Sequence, residues 1–173
     1  MNTKFQFFSK KEINLWDKGT LALYIIITII ISFLGLMSTE IIIAKDVIYG
    51  YAFCTPIFIY LFQYKSLRNI YLFIIWVVIS LYHLILFSKI ESKSDYILPN
   101  SNHVGLGLKS TLLLLLLMLL LRILSIVIQK KELVAPVYFG FSRDTLDNRK
   151  ITVYDYIFFV IFVLVWLNIP LQS

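Results

Sequence analysis

Charge is what this sequence has least of. Only 15% of its 173 residues are Asp, Glu, Lys or Arg, where a water-soluble domain carries about 25%. A globule with so little polar side-chain surface cannot be covered against water, so a soluble fold is excluded. A single cysteine, Cys54, excludes an internal disulfide framework and C-x-x-C redox chemistry. Nowhere is there a Gly-x-Ser-x-Gly or His-Glu-x-x-His signature, which removes the common hydrolase and zinc-protease motifs. Gly105-Leu106-Gly107-Leu108-Lys109-Ser110 has the glycines of a phosphate loop but not its Gly-Lys-Ser/Thr ending. No apolar stretch alternates with polar residues, so a membrane β-barrel is excluded as well.

What is there is hydrocarbon. Apolar residues make up 60% of the chain, and the mean hydropathy is +0.84. Five apolar stretches stand out, at residues 20–39, 47–63, 70–88, 108–128 and 153–171. A helix needs about 17–25 residues to cross about 30 Å of hydrocarbon, and each stretch meets that length. Backbone groups in lipid must bond within their own segment, so the stretches are expected to be helices. The fold class expected is an all-α membrane bundle of five transmembrane helices in a single domain. Pro56, after Thr55, marks a kink in the second span.

The positive charges set the direction of threading. With five spans and a cytoplasmic N-terminus, eleven of the 16 cations fall on the cytoplasmic side: Lys4, Lys10, Lys11, Lys18, Lys65, Arg68, Lys130, Lys131, Arg143, Arg149 and Lys150. Lys45, Lys89, Lys93 and Lys109 fall outside, and Arg122 lies within the fourth span. The excess of Lys and Arg in cytoplasmic loops favours this orientation, with the C-terminus on the outer side. It also accounts for the net charge of +6 without nucleic acid. The first span ends in Met37-Ser38-Thr39-Glu40 without a small-x-small cleavage site, so it is expected to remain as an anchor. Before it, residues 1–19 mix Phe5, Phe7, Phe8 and Trp16 with lysines, as a segment lying in the membrane interface would. Within that segment Ser9-Lys10-Lys11-Glu12 has the spacing of a capping box. The leucine run 112–121 is expected to face lipid over much of its circumference, since it lacks a small-xxx-small face.

Five polar residues in or near the spans are candidate functional groups. Arg122 is the first, because charge inside a membrane is costly; from its depth it can reach the headgroups along its own stem. Asp155 matches it in depth and is its nominated partner, although Thr152-x-x-Asp155 also has the spacing of a helix cap. Glu40, His83 and Asn168 share one side of the membrane by threading, where a histidine and a carboxylate could relay protons. No metal site or cofactor is expected, since only His103 remains to complete a ligand set. In the cytoplasmic loop 129–152, the apolar run from Leu133 to Phe141 marks burial against something, and Tyr138, Phe139 and Phe141 are candidate partner-docking residues.

No catalytic set emerges. The function expected is a non-enzymatic accessory or assembly subunit of a larger membrane complex, embedded in the lipid bilayer with other membrane subunits or copies of itself. A homo-oligomeric pore, transporter or membrane-depolarising effector is the alternative. The Ile, Phe, Tyr, Lys and Asn richness resembles proteins of AT-rich genomes, so the expected location is a bacterial inner membrane, with a mitochondrial inner membrane second.

Overall fold

The computed structural model describes residue 8 and residues 13–37, 41–91, 106–136 and 150–168, with 41–44 as backbone. Among them all regular structure is helical: α1 (Leu15–Met37), α2 (Ile41–Phe62), a 3-10 turn (Ser66–Arg68), α3 (Ile70–Glu91), α4 (Leu106–Gln129) and α5 (Val153–Asn168). Three of these, α1, α3 and α4, are long and apolar enough to cross a membrane. Their 22 to 24 residues extend about 33–36 Å at the α-helical rise. At 22 residues, α2 is as long but includes Lys45, Asp46 and Pro56. The 16 described residues of α5 reach about 24 Å.

The helices overrun the apolar stretches. α1 begins at Leu15 rather than Thr20, and α2 at Ile41 rather than Val47. Helical backbone satisfies its own N–H and C=O groups, so it continues into the interface wherever no breaker intervenes. Residues 169–171, expected to complete the fifth span, lie outside the described residues.

Successive helices run antiparallel. Tyr24 meets Thr55 while Thr28 meets Tyr51, which reverses α2 against α1. His83 meets Thr111 and Phe87 meets Lys109, reversing α4 against α3. Tyr60 stacks on Phe162 at 4.1 Å, and the Trp166 indole N–H donates to the Phe53 carbonyl at 3.0 Å, so α5 is pinned along α2.

In α4, Leu113, Leu116 and Leu120 stay exposed on the outside of the bundle, as expected of its leucine run, while the opposite face is packed. α4 is the central helix, packed against α2, α3 and α5, with Leu108, Leu114, Leu115, Met118 and Leu121 buried. The small residues Gly107, Ser110, Thr111 and Ser125 flank the leucine run and let neighbours approach closely. The tightest approach involves Gly107, where a Cβ would lie 2.6 Å from the Ala52 carbonyl carbon and oxygen. Ala52 is four residues before Pro56, whose ring nitrogen has no hydrogen to donate to that carbonyl. The proline frees a carbonyl, and the glycine lets α4 close over it.

Candidate functional site

Two polar assemblies lie inside the bundle. The first is a seam along α1. Thr20, Tyr24, Thr28 and Ser32 recur every four residues and therefore share one face, over about 18 Å of helix. Each meets a neighbour across the seam: Thr20 with Gln63 at 3.0 Å, Tyr24 with Thr55 at 2.9 Å, Thr28 with Tyr51 at 2.7 Å and Ser32 with Tyr82 at 2.8 Å. At its foot the Ser66 hydroxyl donates to Asp17. Hydroxyls on such a face avoid lipid only by pairing, and each has done so.

Counting protons gives these bonds a direction. The Thr28 hydroxyl has one hydrogen, which it donates to the Tyr24 carbonyl at 2.8 Å, so it accepts from Tyr51. The Tyr51 hydroxyl also pairs with His83 Nε2 at 2.8 Å. On the other side of the ring, His83 Nδ1 lies 3.3 Å from the Thr111 hydroxyl, which bonds back to the Gly107 carbonyl at 3.2 Å. The other branches run the same way. Tyr24 donates to Thr55, which donates to the Tyr51 carbonyl; Tyr82 donates to Ser32, which donates to the Thr28 carbonyl. Each of these chains ends on a backbone carbonyl of α1 or α2. Four helices are held together, and His83, fully buried, is the hub.

The second assembly closes the end of the bundle where α4 stops. Lys130 adopts φ 53°, the left-handed conformation usual for a residue just past a helix, and sends the chain back under α4. The returning strand is bound at every step. The Ser125 hydroxyl donates to the Lys131 carbonyl at 2.9 Å, Arg122 donates to both oxygens of Glu132 at 2.8 and 3.0 Å, and Arg68 donates to the Leu133 carbonyl at 3.1 Å. Arg68 also lies 3.7 Å from Glu132. The partner of Arg122 is thus Glu132, ten residues on, and not Asp155. Depth alone nominates Asp155; the reversal at Lys130 brings a nearer carboxylate. The Arg122 guanidinium also lies over the Phe8 ring, 5.4 Å from its centre.

Asp155 is fully buried and acts as a cap. Its Oδ2 accepts from the Thr152 backbone N–H at 2.9 Å and, at 2.8 Å, shares the Thr152 hydroxyl hydrogen with the Gln129 side-chain oxygen at 2.7 Å; the Thr152 hydroxyl faces the Asp155 N–H at 3.4 Å. Its Oδ1 faces the Gln129 amide at 3.3 Å and the Val134 N–H at 3.4 Å.

No protein-family model, curated protein or solved structure matches the chain. Function must be read from the assemblies themselves. Of the outer-side candidates, His83 belongs to the seam, whereas the Asn168 amide bonds within its own helix to the Leu164 carbonyl at 2.7 Å. Glu40 lies outside the described residues. So do Tyr138, Phe139 and Phe141, but the first half of their apolar run is described: Leu133, Val134 and Ala135 are buried inside the bundle. Among the described residues no group of three His, Cys, Asp or Glu could hold a metal ion. The seam itself was readable as hydroxyls at fourfold spacing, a pattern that averaging hydropathy over α1 erases.

Proposed function

We propose that the chain crosses a bacterial inner membrane five times, N-terminus in the cytoplasm and C-terminus outside, as a non-enzymatic accessory or assembly subunit of a larger membrane complex. The grouping of charge supports this orientation. Lys18, Lys65, Arg68, Arg122, Lys130, Lys131 and Lys150 gather at one end of the bundle, while Lys45, Lys89 and Lys109 lie at the other. Serial reversal of the helices supports five crossings, the shorter α5 included. The observation that carries the subunit role is where the seam's protons go. Hydroxyl after hydroxyl terminates on a helix carbonyl, so the seam's polar groups hold helices in register. That is the chemistry of a scaffold.

The test is a tagged pull-down at native expression in mild detergent, with partners read by mass spectrometry. A stoichiometric partner of different sequence is expected, and replacing Tyr138, Phe139 and Phe141 with serine should release it while the protein still inserts. Retention of the partner by that variant would refute docking through the loop. Recovery as a homo-oligomer alone would replace the subunit reading with the pore or transporter.

A further inference from the structure

At the end of the bundle that collects the cations, the acids among the described residues are all engaged within the protein. Asp17 accepts from Ser66, Glu132 lies between Arg122 and Arg68, and Asp155 is buried as a cap. Lys18, Lys130, Lys131 and Lys150 meanwhile stand exposed around them. Three of these belong to one place, because the Thr152 hydroxyl, shared between Asp155 and the Gln129 side-chain oxygen at 2.7 Å, ties the end of α4 to the start of α5. Lys130 and Lys131 follow Gln129 directly, and Lys150 precedes Thr152 by two residues. One turn deeper on the same helices, Val127, Ile128 and Val153 present exposed apolar side chains. Ammonium groups above a greasy step match one molecule in polarity and in order, a lipid with an anionic head and hydrocarbon tails.

We propose that Lys130, Lys131 and Lys150 form a headgroup site for an anionic phospholipid, with its tails lying along Val127, Ile128 and Val153. The inference rests on these helices lying in a bilayer and not on the subunit role. The backbone at Lys130 provides an independent handle. A left-handed residue at a helix end is ordinarily glycine, whose freedom from a Cβ removes the strain. Lysine occupies it here at a conformational cost, and what a glycine would lack is the side chain that carries the ammonium group.

The experiment is native mass spectrometry of the purified full-length chain in neutral detergent, titrated with dioleoyl phosphatidylglycerol or dioleoyl phosphatidylcholine. Wild type should bind phosphatidylglycerol first, and the preference should fall as salt rises. Lys130→Gly should weaken phosphatidylglycerol binding about fivefold, and adding Lys131→Ser should weaken it about fivefold again, the scale for one basic residue near an anionic surface. Phosphatidylcholine binding should stay unchanged. Because glycine suits the position, Lys130→Gly should melt no lower than wild type, which separates loss of lipid from loss of fold. Lys109→Ser, at the opposite end of α4, is the control. Equal binding of the two lipids by wild type would overturn the proposal, as would an undiminished preference in the double variant or an equal loss in Lys109→Ser. Co-purification of an acidic polypeptide released by the same double variant, with no lipid preference, would assign the lysines to a protein and overturn it too.

Discussion

Gly107→Ala is the substitution whose effect follows most directly from the packing of α2 against α4. The added methyl would sit 2.6 Å from the Ala52 carbonyl carbon and oxygen and 2.9 Å from the Ala52 Cβ, where ordinary contact begins at 3.4 Å. Backbone cannot swing aside as a side-chain tip can, so the two helices must separate locally by about 0.8 Å. Overpacking of this kind costs about 1–3 kcal/mol. Up to about 1 kcal/mol returns through the better helix propensity of alanine. The net loss, about 1–2 kcal/mol, corresponds to about 2–8 °C in melting temperature for a chain of this size. The assay is the temperature at which half the purified protein remains monodisperse by size exclusion after heating in one detergent. Three other glycines calibrate it. At Gly19 and Gly50 a Cβ meets nothing within 4 Å, so alanine there should be neutral or mildly stabilising. At Gly35 it meets the Ile90 Cδ1 at 2.9 Å, the end of a flexible chain, and the cost should be intermediate. If Gly107→Ala melts together with Gly50→Ala, the close approach of α4 to the Ala52 carbonyl is wrong.

The buried ion pair and the seam give two further tests. Glu132→Gln should destabilise by about 2 kcal/mol, less than the roughly 3–5 kcal/mol of breaking a fully buried pair, since the Glu132 side chain keeps 19% of its surface exposed. Arg122→Met should then add little on top of it in a double-mutant cycle, and full additivity would show that the two side chains do not interact. His83→Phe keeps the ring volume but removes both interhelical bonds, worth about 0.6 kcal/mol each in membranes. A drop of about 1 kcal/mol is expected by reversible unfolding, and a variant more stable than wild type would show that the hub contributes nothing.

Much of the architecture is legible because hydropathy is an average property. Over 18 or more residues the long runs of α1, α3 and α4 tell lipid from water unmistakably. The same averaging hides faces. In α1 four hydroxyls among fifteen apolar neighbours barely move the mean, yet they determine which side meets α2. In α4 the leucines disclose the exposed face, at Leu113, Leu116 and Leu120, but not the face that Gly107, Thr111 and Ser125 open to neighbouring helices. The partner of Arg122 depends on a single dihedral angle at Lys130. Depth along a helix does not encode a chain reversal, so Asp155 was the natural choice and Glu132 the actual one. Thr152-x-x-Asp155, by contrast, is local, and its spacing is enough to place the contacts of the cap.

The hydroxyls of α1 also have a bearing on how such a chain enters a membrane. Thr20 donates to the Trp16 carbonyl, Thr28 to that of Tyr24 and Ser32 to that of Thr28, all within the helix. These three donors are therefore satisfied before any second helix arrives, and only their acceptor lone pairs wait for Gln63, Tyr51 and Tyr82. The first helix can leave the insertion machinery with the Tyr24 hydroxyl as the one seam donor still to be paired, and still carry the marks that select its neighbours. In the order of synthesis, α2 then brings Tyr51 to Thr28 and takes the Tyr24 donor on Thr55, and α3 brings the Tyr82 donor to Ser32.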